Sequence, residues 1–332
     1  MSSLKITTLI GITALSLGLS ACQKETTSKA STDTKKEADV EVKSLQIGFQ
    51  KSSLNFLVAR EQKLFEQQFP NTKIEWREFP AGPQMLEALA VGAVDFGYVG
   101  NTPPIFAQAA DKNLSYAGYE VYPEKSLGLV LPNNSSIRSL SDLKGKRIAL
   151  QKGSSAHEFL AKVLQKANLS WQDIQPIWLP PADARAAFNK GSVDAWAIWD
   201  PFLSAIELSG PVTTFISGSD FPTTYSYYIS NPTFVNAHPG VTDKVLKSLN
   251  DADSWILNNQ DLAVDLYASS TGLKKDIAKN ALDRRSKPSP IRPITSVNIE
   301  SQQQIADLFY KEKLIPKQIK IQDAILNSES NH

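Results

Sequence analysis

The sequence predicts an α/β fold in two lobes, on three observations. Strand-like and helix-like apolar segments alternate from residue 45 to about residue 230. After a polar stretch at 23–43, about 290 residues remain, more than one hydrophobic core usually supports. From about Val241 onward the chain turns mainly helical.

The elements follow in order. Residues 45–49 alternate as a first strand, and 54–65 reads as a helix with Leu54, Leu57, Val58, Leu64 and Phe65 as its apolar positions. A second strand at 73–79 carries Ile74, Trp76 and Phe79. Pro83 opens a helix in the way a first-turn proline does. Residues 94–99 form a short strand, and GNTPP at 100–104 leads into a helix at 105–110. Strands at 114–122 and 127–131 follow. A second block begins near Pro132, with a helical turn at 139–143 and a strand at 147–150. A helix reaches about Ala167, after which come strand 174–179, helix 183–189 and strand 193–199. Asp200-Pro201 starts another helix before strands 212–217 and 225–229. Helices at 241–258 and 299–313 close the chain. Alternation of this kind implies mostly parallel sheets covered on both faces, with ligand sites beyond the carboxyl ends of the strands.

Three loops occupy that position: 50–55, 100–103 and 151–157. Each leads into a helix start, whose first N–H groups lack intrahelical partners and, with the helix dipole, suit an anion. The first loop offers Gln50, Ser52, Ser53 and Asn55, with Lys51 nearby. The second offers Asn101 and Thr102. In the third, Gly153 permits close backbone approach, Ser154 and Ser155 add hydroxyls, and His157 stands in the first helical turn. Each loop alone is more simply a set of helix caps. Three donor-rich loops at successive strand ends point to one shared oxyanion. Asp200 before Pro201 is read as a cap. Trp199 either walls a pocket or fills the core, His157 is either a donor at its helix mouth or a surface histidine, and Trp196 and Ala197 face packing.

The ends carry a different signal. Lys5 precedes an apolar run at 6–19 that is short for a membrane span, and Leu19-Ser20-Ala21-Cys22 closes it like a lipoprotein cleavage site. The expected organisation is a signal peptide at 1–21, a lipidated N-terminus at Cys22 with a solvated tether to residue 43, lobe 1 at 44–131 plus 232–325, and lobe 2 at 132–231. Acyl chains would supply the membrane attachment.

Composition narrows the chemistry. Cys22 is the sole cysteine, so the folded part has no disulfide, thiolate nucleophile or cysteine metal ligand. His157, His238 and His332 lack ligand spacing, so no metal is expected. Thirty-five basic against thirty-four acidic residues give no field for nucleic acid.

Six segments then carry a family likeness: EFPAGPQMLEAL (78–89), PPIFAQAA (103–110), QKGSSAH (151–157), PADARAAF (181–188), VDAWAIWDP (193–201) and ADLFY (306–310). In order and spacing over about 45–322 they resemble the aliphatic sulfonate-binding proteins, the substrate-binding components of ABC importers for alkanesulfonates. The resemblance implies a two-lobed periplasmic-binding-protein fold of type II, with each lobe a mostly parallel sheet flanked by helices and the ligand cleft between lobes. It implies sulfonate contacts from Gln50, Thr102, Ser154, Ser155 and His157, a pocket shaped by Gly82 and Trp199, and no cofactor. It also implies a monomer on the periplasmic side of a bacterial membrane, working with permease and ATPase subunits in sulfur acquisition. Asn101 departs from the acidic residue expected before the Pro-Pro pair and removes a charge that would repel an anion. Taurine, a sulfate ester, an aromatic sulfonate and nitrate are alternative ligands. An enzyme on the same scaffold is disfavoured, because desulfinases of this shape use a cysteine and the related pyrimidine-precursor synthases use histidines with iron.

Overall fold

Each strand expected from the hydrophobic alternation is present in the structure, a computed structural model that describes residues 42–325. The signal-peptide segment, Cys22 and the tether as far as residue 41 lie outside the described residues. Val42 and Lys43, the last two residues of the expected tether, lie inside, and Val42 is already buried. The strands are β1 (Ser44–Phe49), β2 (Lys73–Glu78), β3 (Phe96–Val99), β4 (Ser115–Val121), β5 (Leu127–Pro132), β6 (Arg147–Leu150), β7 (Gln175–Trp178), β8 (Ala195–Trp199), β9 (Val212–Ser217) and β10 (Tyr225–Ser230).

They form two five-stranded sheets of identical plan, β2-β1-β3-β10-β4 and β7-β6-β8-β5-β9. In the first, β1 pairs in parallel with β2 and β3, while β10 lies antiparallel between β3 and β4. In the second, β6 pairs in parallel with β7 and β8, while β5 lies antiparallel between β8 and β9. Four strands in each sheet therefore point one way, which gives the mostly parallel sheets expected.

The reversed strand is in each case the one that has just crossed from the other sheet. β5 follows β4 through the short turn Glu124–Ser126, and β10 follows β9 through Gly218–Asp220. Each crossing is a single 3-10 turn that starts where the preceding strand ends, so the chain enters the other sheet from the end at which its remaining strands finish and must run against them. By sheet membership β5 goes with the second sheet and β10 with the first, where the expected lobe limits assign 127–131 to the first lobe and 225–231 to the second. Hydrophobic alternation marks a strand but not the sheet it joins. The crossings run side by side: the Tyr122 N–H donates to the Thr224 carbonyl at 2.9 Å, and the Thr223 hydroxyl to Glu124 Oε1 at 2.5 Å.

Packing explains the departures within elements. The helix expected at 54–65 is two, Leu54–Glu61 and Leu64–Gln68, divided at Lys63 with φ 52°. The break turns Phe65 inward, where its ring meets Trp76 at 5.3 Å and Phe56 at 6.1 Å. The helix expected from Ile105 begins at Thr102, with Pro103 and Pro104 in its first turn, where a missing N–H costs nothing. The first sheet is covered on one side by Leu54–Glu61 and Val241–Asn258, and on the other by Gly82–Ala90, Thr102–Ala109 and Ser296–Lys311. Ser155–Lys166 and Phe202–Ser209 contribute to the core of the second sheet.

Phe56 is fully buried against Phe65, Trp76 and Tyr228, the last at 5.6 Å. Phe56→Ala is expected to lower stability by about 3–5 kcal/mol, read as a shift of the urea midpoint at unchanged slope.

Candidate functional site

The strands of both sheets deliver their carboxyl ends to one small cavity of about 20 Å³, room for roughly one water molecule. It is lined by Gln50 and Ser52 after β1, Gly82, Tyr98 of β3 with Gly100 beyond it, and Tyr122 at the first crossing. The second sheet adds Ser154 and Ser155 after β6, and Trp199 at the end of β8.

The first loop is locked locally. The Gln50 N–H donates to Ser53 Oγ at 3.0 Å, and the Ser53 N–H returns to the Gln50 carbonyl at 2.9 Å. Gln50 Nε2 donates to the Tyr98 carbonyl at 2.7 Å, which ties the loop to β3. Lys51 turns away from the cavity: its ammonium donates to the Thr271 carbonyl at 2.7 Å, at the C-terminus of helix Gln260–Thr271. A cation suits that end of a helix.

Two glycines let the backbone close in. Neither Gly82 nor Gly100 has a positive φ, so the requirement is space. A Cβ on Gly82 would stand 2.6 Å from Pro103 Cγ. One on Gly100 would overlap the Ser155 hydroxyl, with the Ser155 Cβ only 3.1 Å away. Ser155 of the second sheet's loop thus rests directly on the first sheet's strand end.

In the third loop, Gly153 adopts φ 74°, a conformation glycine reaches without strain. The Ser154 hydroxyl donates to the Gln151 carbonyl at 2.8 Å, and its N–H points to the same oxygen at 3.3 Å. Helix Ser155–Lys166 then begins with Ser155 in the cavity lining, and the His157 N–H donates to the Ser154 carbonyl at 2.9 Å.

Among the described residues lining the cavity, none carries a formal charge. The nearby acids are engaged elsewhere. Asp200 accepts the Ser204 N–H at 2.8 Å and the Ser204 hydroxyl at 2.6 Å, the capping role expected of it, and Arg284 stands 3.5 Å from its other oxygen. Burial raises its pKa, and Arg284 opposes that. Glu120 lies among Arg285 at 3.8 Å, Ser289 at 3.4 Å and Tyr228 at 3.5 Å, and burial likewise raises its pKa. Asp95, at the amino end of β3 and away from the cavity, accepts the Gln46 N–H at 2.8 Å.

Of the residues singled out from sequence, Gln50, Gly82, Ser154, Ser155 and Trp199 line this cavity. Asn101, Thr102, Gly153 and His157 do not. Asn101 donates to Thr224 Oγ1 at 2.8 Å and its carbonyl accepts from Gln302; the Thr102 hydroxyl donates to Asn101 Oδ1 at 3.0 Å. Those groups are satisfied within the protein. His157 is not a surface residue: it is 1% exposed, and its Nδ1 accepts the Gly153 N–H at 3.2 Å. Ser52 appears in the sequence only as a loop donor, and Tyr98, Gly100 and Tyr122 carry no motif. Their one signal is position at the ends of apolar strands. The tyrosines are buried, and burial pushes both hydroxyls to higher pKa.

A model of the NMT1/THI5-like family matches residues 32–263. The alkanesulfonate-binding protein SsuA from Xanthomonas axonopodis pv. citri, solved bound to MOPS, is 42% identical with a TM-score of 0.83, covering 86% of this chain and 98% of its own. The periplasmic aliphatic sulphonate binding protein SsuA from Escherichia coli is 43% identical with a TM-score of 0.78, covering 85% and 92%. A more distant relative, the taurine-binding periplasmic protein of Escherichia coli (strain K12), is 27% identical over 218 residues, 65% of this chain and 67% of its own.

Burial, with a smaller effect from Lys152, lowers the His157 pKa to about 3. The unfolded chain therefore takes up a proton near pH 6.5 that the folded protein refuses. The stability due to this group is complete above pH 6.5 and declines as pH falls toward 3, by at most about 1.4 kcal/mol per pH unit. Chemical denaturation at pH 7 and pH 5 is expected to show a decline that is smaller in His157→Phe.

Proposed function

The chain belongs to the NMT1/THI5-like family and to the aliphatic sulfonate-binding proteins, and from that premise we propose that it is the extracytoplasmic binding component of an ABC importer for alkanesulfonates. It is a binding protein and not an enzyme. The observation that carries the ligand reading is the uncharged cavity at which strand ends and helix starts of both sheets meet. A sulfonate stays ionised at any physiological pH, so on burial its oxygens must exchange water for protein donors. The second Nε2 proton of Gln50, the Ser155 hydroxyl and the N–H groups of Ser155 and Ala156 at the helix start supply neutral dipoles for that purpose, and the Ser154 hydroxyl would join them only by leaving the Gln151 carbonyl. Tyr98, Tyr122 and Trp199 offer apolar surface to the alkyl part, at roughly 0.8 kcal/mol per buried CH₂.

The two lobes are the two sheets with their helices, so their limits fall at the crossings 122–126 and 218–224. A cavity of about 20 Å³ is too small for an alkanesulfonate to enter without the lobes parting about those crossings. Contacts made by both lobes then favour the closed arrangement, which the permease and ATPase subunits sense as occupancy.

Discrimination follows from charge. An ammonium on the ligand, as in taurine, would need an acidic partner, and Asp95, Glu120 and Asp200 are each engaged elsewhere. Nitrate has no alkyl part to bury. Calorimetry with ethanesulfonate, taurine and nitrate is expected to rank them in that order of affinity, and taurine binding as tightly as ethanesulfonate would refute the assignment. Ser154→Asp is expected to abolish binding with the fold intact, whereas loss of one neutral donor weakens it about ten- to a hundredfold. The N-terminal pattern supports a periplasmic lipoprotein, and the family resemblance a monomer. Cys22→Ser is accordingly expected to move the protein from the membrane fraction to the soluble fraction, and persistence in the membrane would sink the anchor.

A further inference from the structure

We infer that His157 is a positioning residue: without touching the cavity, its imidazole holds the Gly153 N–H and thereby sets Ser154 and Ser155 in the arrangement an anion meets. The inference rests on the sulfonate reading for its ligand and on geometry for the rest.

The loop from Gln151 to Ser155 is fastened on two sides. On one, the Gln151 carbonyl takes both the hydroxyl and the N–H of Ser154. On the other, His157 Nδ1 accepts the Gly153 N–H at 3.2 Å. Gly153 is the residue at φ 74°, where the chain reverses before the two serines. Release of its N–H frees the turn on which Ser154 and Ser155 depend.

An accepting Nδ1 leaves the ring proton on Nε2, which has no hydrogen-bond partner among the described residues. Around the ring stand Trp171 at 4.8 Å and Trp178 at 5.0 Å, both edge-to-face, with Phe106 at 5.4 Å and Phe309 at 5.3 Å. A phenylalanine would fill such a box without burying an unpaired N–H. The bond to Gly153 is what an imidazole adds there. Phe106 and Phe309 lie on helices of the first sheet, whereas Trp171 and Trp178 belong to the second sheet's side. The box is complete only when the two sides are together, whereas the bond to Gly153 lies within the second side and sets the loop before closure.

Two variants separate a positioning role from simple filling. His157→Phe keeps a ring and removes the acceptor; His157→Asn places Oδ1 near the position of Nδ1. On the full-length chain, ethanesulfonate affinity by calorimetry is expected to fall at least about tenfold in His157→Phe and to recover most of that in His157→Asn. In the ligand-free protein, Gly153 amide exchange read by NMR is expected to be faster in His157→Phe and slow again in His157→Asn, with melting temperatures recorded to confirm folding. Parent-like affinity and Gly153 exchange in His157→Phe, or His157→Asn no better than His157→Phe in both measurements, overturns the inference. If the parent takes up no sulfonate while Gly153 protection still depends on His157, the positioning role stands and the sulfonate assignment falls.

Discussion

The arrangement of the cavity depends on Ser155 standing directly against Gly100. A residue of the second sheet's loop rests on the strand end of the first, at a distance that leaves no room for a side chain. Everything at the cavity follows from this contact being possible. It brings the N-terminus of helix Ser155–Lys166 over β3, sets Trp199 and Tyr122 as walls, and reduces the space between the sheets to about 20 Å³. The two sheets can do this because the chain crosses between them twice, in adjacent strands joined by single 3-10 turns, the connection about which the proposed opening would occur.

The second feature is the withdrawal of formal charge from the site. Lys51 stands within the first loop yet serves the end of a distant helix. Asp200 follows Trp199 directly yet caps the next helix and faces Arg284. Glu120 is buried one strand away and is matched by Arg285. A permanent anion placed among neutral dipoles meets neither repulsion from a carboxylate nor the strong attraction of an unscreened cation. On the proposed reading, oriented dipoles are what binds the ligand and what still permits its release to a transporter.

The elements of the fold were legible in the sequence because their hydrophobic faces are local properties. Strands 147–150 and 212–217 and the helix 241–258 coincide with the observed elements, since apolar periodicity and end signals agree there. The break at Lys63 was not legible: residues 54–65 keep a helical pattern throughout, and only the demand of Trp76 and Phe56 for Phe65 shows why the chain turns. The same limit applies to the exchange of β5 and β10 between sheets, because alternation reports that a strand is half-buried and not which neighbour covers it.

For the site, the sequence by itself determined which chemistry is available: hydroxyls, amides and glycine at helix starts, without cysteine or clustered histidine. Only the tertiary structure decided which of those groups are free. Thr102 and Asn101 satisfy each other and their neighbours, His157 supports the loop it was expected to extend, and Tyr98, Gly100 and Tyr122 join the lining from positions without a motif. The physical reason is that a donor's type is written in its side chain, but its availability depends on every acceptor within about 3 Å, and those acceptors come from parts of the chain far away in sequence.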